Sequence, residues 1–288
     1  KDNFNKIINK IYYYYDEPFA DYSMFPSFFL SKMTSKKLTV ALSGDGADEL
    51  FGGYEHYKSV AKISKLRKIP KHLRKLSLLI IPKNEKTFFI REGLKTSLLN
   101  PEELFSEVWS DIYKPEIYKK ITKEKMKETL KLSKGDPIEA MILFDRYFKT
   151  LGDNFLCKID RASMANSLEV RSPFLDYRFI EYASQIPSKW KVNLFTTKIL
   201  MKDAVKEMLP KEVINRKKEG FNSSLLEQMI NKRRDNEGIK KIVIKLSNIG
   251  AISKEWERFY LEKVLKSKNN FYNKYKIRII VFYDWFNF

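Results

Sequence analysis

Residues 38–57, LTVALSGDGADELFGGYEHY, constrain this chain more than any other stretch. The apolar run from Leu38 to Leu42 predicts a short strand covered on both faces, as in a parallel α/β sheet. A tight acidic loop from Ser43 to Asp48 and the start of a helix follow it. Gly44 and Gly46 let the backbone turn sharply and bring its N–H groups close to a ligand. In open α/β sheets ligands sit at the carboxyl ends of strands, where this loop falls. A helix N-terminus just beyond adds donors and a positive dipole end suited to phosphate. The loop is neither a Walker A sequence nor GxGxxG, and it carries Asp45, Asp48 and Glu49. Acids beside a phosphate repel it unless a cation lies between, which points to Mg²⁺ holding a polyphosphate. A glycine turn whose acids merely cap and charge the first helical turn accounts for the same residues.

The rest of the composition narrows the function classes. At 288 residues the chain is long enough for a real core, in one or two domains. A hydrophobic content of 43% argues against disorder. No apolar run reaches the length of a membrane span, and no signal peptide precedes the first helix, so a cytoplasmic protein is expected. The single cysteine, Cys157, excludes an internal disulfide framework and a CxxC metal pair; two histidines argue against a histidine metal site. The net charge of +19 comes mostly from dispersed lysines, with arginine far scarcer. That distribution reads as a solvated surface, with no nucleic-acid or membrane partner expected, and it suits a polyanionic substrate.

Several elements are legible locally. Residues 3–15 place Phe4, Ile7, Ile8 and Ile11 on one helical face. A turn and a second amphipathic helix, starting near Pro26, follow. A helix is expected through His72 to Ile81, closed by Pro82. Asn100-Pro101-Glu102-Glu103 and Asp136-Pro137-Ile138-Glu139 each combine an N-cap, a proline and an early acid. The second start carries a buried stripe of Ile138, Met141, Ile142 and Phe148. Thr197 is expected to cap a helix with Ile199, Leu200, Val205 and Leu209 on its apolar face, ended by Pro210. Cys157 reads as a core thiol. Ile242 to Leu246 and the closing IRIIVFYDWF suit helices better than strands. One strand makes no sheet, so the partner strands are expected upstream of Lys1, in a longer protein.

Twelve consecutive positions, SGDGADELFGGY, closely resemble the SG(D/E)GxDExFGGY signature of the asparagine synthetase family. Two further blocks are similar to the same family. Residues 153–187 resemble its LxKxDRxSMAxSLExRxPFLD motif. Residues 196–221 resemble its tK-x-x-L-R helix and R-x-K-x-G-F loop, with Lys198, Arg216, Lys218, Gly220 and Phe221 matching. Lys202 stands where that helix has arginine, which puts a bidentate role there in doubt. The segment from Glu17 to Ser23 is similar to the family's E-P-x-x-D-x-S. Asp21 and Ser23 therefore face the active site or simply form a turn; both readings stand.

The resemblance implies a fold class: α/β, mostly helical in this chain. It would be the C-terminal part of an adenine-nucleotide alpha-hydrolase-like (ATP-pyrophosphatase) domain, with the upstream strands and the SGGxDS loop missing. Residues 1–60 would end the nucleotide-binding core and 61–288 form a mostly helical body. The implied reaction joins aspartate and ammonia at the expense of ATP, through a β-aspartyl-adenylate, to give asparagine, AMP and pyrophosphate. The resemblance further implies catalytic roles for Asp45 and Lys218. Ser43, Gly44, Gly46 and Lys198 would bind ATP or pyrophosphate, and Asp48 would hold Mg²⁺. Arg161 and Ser163, with Asp21 and Ser23, would line the substrate or ammonia route. Glu169, Arg171 and Asp176 read as internal ion-pair bracing. Ammonia would come from a separate N-terminal glutaminase domain whose nucleophilic cysteine Cys157 does not match, and a homodimer is allowed. Two alternatives stay open: an amidotransferase of the same fold acting on a sugar-acid or peptide carboxylate, and a non-catalytic basic binding module on a degenerate synthetase fold.

Overall fold

Helices begin where side chains can satisfy the first free N–H groups. Asp136 Oδ1 accepts from the N–H groups of Ile138 and Glu139, at 2.9 and 3.3 Å, and opens the helix Pro137–Phe144. At the helix Pro101–Val108 the Glu103 carboxylate accepts from the Asn100 N–H at 3.2 Å, the returning half of a capping box. The computed structural model describes residues 2–19, 21, 23–84, 87–108, 116–216, 235–267 and 272–287. Among the described residues the chain is mostly helical, with one two-stranded sheet, and it divides into two units.

The first unit draws on Lys1–Ala41, Cys157–Arg171 and Lys217–Phe288. Its helix Asp2–Tyr15 turns Ile8, Ile11, Tyr12 and Tyr15 inward. That face meets Met24–Thr34 and Cys157–Met164, which also pack on each other. Each such fully buried apolar side chain contributes about 1.5–3 kcal/mol relative to exposure. Strand β1, Val40–Leu42, pairs with β2, Glu169–Arg171. Ile242 to Leu246 and the closing apolar segment are helical, within Asn236–Asn248 and Asn273–Phe286.

The second unit comprises Leu42–Leu156 and Ser172–Arg216. Tyr57, Val60, Met126, Met141, Ile142 and Phe144 belong to its main core, which joins the helices Glu55–Leu66, Glu116–Leu132 and Pro137–Phe144. Leu50, Phe51 and Ala183 form a smaller cluster with Phe174, Phe179, Leu200 and Met201 around them. This cluster seats the short helix Ala47–Phe51 against Tyr177–Ser184 and Ile199–Ala204, and so fixes the acidic loop. After Phe144 the chain widens into π-helical turns over Asp145–Lys149 and Leu151–Leu156.

Four expectations require correction. The strand expected to be covered on both faces leaves Leu38, Val40 and Leu42 exposed, at 54%, 39% and 74%. A partner strand does exist, Glu169–Arg171, and its own two ends are charged and exposed. Thr197 caps nothing: Lys198 takes the N-cap position in a left-handed conformation, and the helix stops at Ala204 with none of its residues buried. Cys157 is half-buried rather than a core thiol; burial pushes its pKa up, with Glu17 adding to the effect. Among the described residues no helix is long and apolar enough to cross a membrane.

Candidate active site

The acidic loop leaves β1 and turns at Gly46, whose φ of +90° favours glycine. Packing requires it too: a Cβ there would lie 2.3 Å from Leu175 Cδ2. Ser43 Oγ meets Ser172 Oγ at 2.7 Å, pinning the loop to the segment after β2. Gly44 lies exposed, and a Cβ on it would meet nothing within 4 Å.

The three acids of the loop part company. Asp48 meets Lys198 Nζ at 2.8 Å, with both side chains about one-quarter exposed. Lys198 reaches it from a backbone with φ of +53°, a conformation that costs a non-glycine residue about 1 kcal/mol. A Cβ on Gly53 would lie 1.7 Å from Asp48 Oδ1 and 2.4 Å from Lys198 Cε, so this glycine makes room for the pair. Asp45 is half-buried, and no described group hydrogen-bonds to its carboxylate. Glu49 points inward, 1% exposed, and accepts a hydrogen bond from Tyr54 Oη. Burial raises the Glu49 pKa, and the charges of Asp48 and Asp145 add to this, against the opposing Tyr54 bond. Only Asp45 and Asp48 therefore remain to serve a ligand.

Beneath the loop lies a buried network that the sequence did not announce. Asp145, 0% exposed, accepts from His56 Nε2 and Tyr57 Oη at 2.8 Å and from Thr150 Oγ1 at 2.7 Å. Arg146 donates to the Glu49 carbonyl at 3.1 Å and to Ser184 Oγ at 2.7 Å, tying the helix behind the loop to Tyr177–Ser184. Lys191 is fully buried against Glu139 at 2.9 Å. Burial opposes the charge on both partners, raising the Glu139 pKa and lowering that of Lys191, so the pair depends on staying intact. The residue types carried no signal, because apart from Thr150 each partner lies far away in the sequence.

The other predicted residues gather in the first unit. Lys158 Nζ bonds Asp21 Oδ2 at 3.1 Å and Ser23 Oγ at 2.7 Å, and the Ser23 N–H and hydroxyl donate to Asp21 Oδ1 at 2.9 and 2.7 Å. Asp21 and Ser23 thus make both a turn and an ion-pair cluster. Arg161 donates to the carbonyls of Tyr14 and Tyr15 at the end of the first helix, where a cation is favoured. Ser163 is buried and donates to the Asp160 carbonyl at 3.2 Å. Glu169 pairs with Arg171, and Asp176 with Arg178, each at 2.7 Å on the surface. Lys218, Gly220 and Phe221 lie outside the described residues.

Burial alone raises the Asp21 pKa, but the Lys158 ammonium and the two Ser23 bonds outweigh it and hold the carboxyl below its ordinary 3.8. A carboxylate with a lowered folded-state pKa stabilises the fold above its unfolded pKa and loses that contribution as pH falls through the folded value. Asp21→Asn is therefore expected to cost about 1–3 kcal/mol near neutral pH, from weakened bonding to a charged partner. Urea unfolding should show the gap between variant and parent narrowing in acid below the usual carboxylate range. A gap independent of pH would rule out an ionised Asp21 as its source.

The family model for asparagine synthase (Asn_synthase) matches residues 1–265. The chain belongs to this family. It is 32% identical to asparagine synthetase (glutamine-hydrolyzing) 1 of Bacillus subtilis over 99% of its own length and 47% of that protein's. Over 56% of its length it is 43% identical to putative asparagine synthetase (glutamine-hydrolyzing) 2 of Methanocaldococcus jannaschii, covering 33% of that protein. A Mycobacterium tuberculosis relative, named as a putative asparagine synthetase (glutamine-hydrolyzing), is 32% identical over 76% of the chain and 35% of its own length. The chain thus spans between a third and a half of these relatives. No solved structure matches it. Within the asparagine synthase family, the signature glycines now have physical reasons: Gly46 clears Leu175, and Gly53 clears the Asp48–Lys198 pair.

Proposed function

We propose that this chain is the C-terminal part of the synthetase domain of an ATP-dependent amide ligase that makes asparagine from aspartate. On this reading residues 1–60 end an ATP-pyrophosphatase core whose other strands lie upstream, and the exposed apolar side chains of β1 support it. The observation that carries the reading is the Asp48–Lys198 pair at 2.8 Å, beside an open glycine loop at the end of a strand.

Magnesium is commonly held by one or two carboxylates together with substrate phosphates, rather than by an all-protein cage. Among the described residues no cage of three or more His, Cys, Asp or Glu forms. A carboxylate next to a phosphate-ready cation fits a metal that arrives with a nucleotide. Asp48 would hold Mg²⁺, and Lys198 the phosphate oxygens. Bound there, the metal would neutralise charge developing on the departing pyrophosphate.

In the first step an oxygen of the aspartate β-carboxylate attacks the α-phosphorus of ATP, and the bond to the β-phosphate bridging oxygen breaks. Pyrophosphate leaves, and the carboxylate becomes a β-aspartyl-adenylate with AMP as its leaving group. Ammonia then attacks the acyl carbon, and asparagine and AMP separate. Asp45 would take the proton released by the attacking ammonia; it is half-buried and has no described partner on its carboxylate. Lys218 would balance charge on the phosphates during adenylation. Ser43, Gly44 and Gly46 would present the loop to the same oxygens. A glutaminase domain of the intact protein would supply ammonia.

The deciding test is pyrophosphate release by the intact protein with Mg·ATP and ammonia, with and without aspartate. Aspartate-dependent release with asparagine formed in equal amount is expected. Release that ignores aspartate would move the assignment to another carboxylate, and no ATP binding would end the ligase reading.

Gly53→Ala separates site from scaffold. The atoms a new Cβ meets are the far ends of the Asp48 and Lys198 side chains, which can move without unfolding the chain. The variant is expected to melt near the parent, yet release pyrophosphate about 10–100-fold more slowly, as when support of a metal ligand is lost. Full activity would show that the pair's geometry is dispensable.

A further inference from the structure

The hairpin of helices Lys71–Ile80 and Phe88–Leu98 is inverted in polarity. Its arginines are turned inward: Arg74 and Arg91 are only 7% and 9% exposed. Arg74 Nε donates to the Ile69 carbonyl at 2.9 Å, and Arg91 Nη1 to that of Leu78 at 2.7 Å. Arg67 likewise donates to the Ser97 carbonyl at 3.3 Å. These bonds brace the hairpin from within. Its apolar side chains face out: Leu79 is 82% exposed, Ile80 70%, Phe88 54%, Phe89 84% and Ile90 56%. All five lie where the two helices approach their connecting turn. Five large apolar side chains exposed at one end of a hairpin go beyond single scattered residues and mark an interaction surface.

Charge identifies the partner. Residues 62–95 hold 11 lysines and arginines against 2 glutamates. With the arginines committed to carbonyls, the exposed cations near the apolar end are lysines, among them Lys75, one turn before Leu79, and Lys83, between the two helices. An open cleft of about 580 Å³ at the same end is lined by Lys83, Asn84, Phe88, Arg91, Glu92 and Lys95. Reading a base or a phosphopeptide draws on the arginine fork, which is spent here. Two copies of so basic a surface would repel. Lysines around protruding leucine, isoleucine and phenylalanine match instead a bilayer interface, where the apolar groups enter the acyl boundary and the ammonium groups stay among anionic headgroups. We infer that this hairpin docks the protein on the surface of a membrane rich in anionic phospholipid. The lysines read from the sequence as mere solvated surface thereby acquire a partner, independently of the reaction proposed above.

The test is cosedimentation of the intact protein with phosphatidylcholine vesicles with and without phosphatidylglycerol. Two variants accompany it, Leu79→Ser with Phe89→Ser, and Lys75→Glu with Lys83→Glu. All four residues are exposed, so both variants should keep the parent's melting temperature. The parent is expected to bind only the anionic vesicles, less so as salt rises, with each variant about tenfold weaker or more. No binding by the parent, or binding undiminished in both variants, overturns the inference. So does a parent indifferent to vesicles whose Leu79/Phe89 variant loses an oligomeric or acidic protein partner, which would assign the surface to protein contact.

Discussion

Asp48→Ala is expected to slow aspartate-dependent pyrophosphate release by about 10²–10³-fold, the range seen when one preorganised charge-stabilising group is removed from an active site. Asp48 sits on the first turn after the glycine loop, and its position is set three times over. The short helix Ala47–Phe51 is anchored by Leu50 and Phe51, Gly53 opens the space, and Lys198 holds the carboxylate at 2.8 Å. Alanine removes the carboxylate and leaves Lys198 without this partner, but it disturbs no buried apolar contact. The loss should therefore fall on activity rather than on folding. Asp48→Asn keeps the shape and removes the charge, so it should lose nearly as much activity if the carboxylate holds a metal. Lys198→Ala is expected to raise the KM for ATP more than it lowers kcat, since on the proposed reading it withdraws a phosphate partner rather than the metal ligand. Steady-state kinetics on the intact protein, with circular dichroism to confirm folding, separates these cases. An Asp48→Ala enzyme within threefold of the parent would leave the aspartate a role in structure alone.

Asp145→Ala is expected to be the most damaging single change to stability, at about 3–5 kcal/mol, because it leaves three donors in the interior without their acceptor at about 1–3 kcal/mol each. Three side-chain donors converge on this carboxylate, from His56, Tyr57 and Thr150. Tyr57 has no exposure at all; burial first, and then the Asp145 charge, drive its pKa well above 10.0, which keeps the phenol a donor near neutral pH. Alanine strands these donors in a core that also contains Val60, Met141 and Phe144. Tyr57→Phe, which removes one donor and leaves the acceptor two others, should cost only about 1 kcal/mol. Urea unfolding of both variants against the parent checks the ranking. Near-equal losses would mean that packing rather than the carboxylate holds the region.

The inward-facing network and the acidic loop meet at Glu49. Its side chain bonds Tyr54, and its carbonyl accepts from Arg146, the neighbour of Asp145. The sequence placed Glu49 beside Asp45 and Asp48 in the loop, and the resemblance implied roles only for the other two. The fold divides their labour, one carboxylate inward and two toward the open side.

What the sequence by itself determined was local. Asp136 caps its helix because the acceptor and the N–H groups it satisfies lie within three residues of each other, and Pro137 pre-sets the first turn. The apolar periodicity of residues 3–15 likewise became the buried face of Ile8, Ile11 and Tyr15. The glycine–acid loop was legible because twelve adjacent residues carry it. Tertiary structure alone decided which distant groups meet. Lys158, which the sequence crowds against Asp160 and Arg161, pairs with Asp21, 137 residues away. Lys198 leaves the expected Thr197-capped helix for a left-handed backbone conformation from which its ammonium meets Asp48. The apolar strand read as covered is exposed in this chain, since alternation and apolar runs report which side chains avoid water but not what covers them. The physical reason is common to all three: caps and periodicities are contacts within one or two turns, whereas ion pairs and covered faces depend on the path of the whole chain.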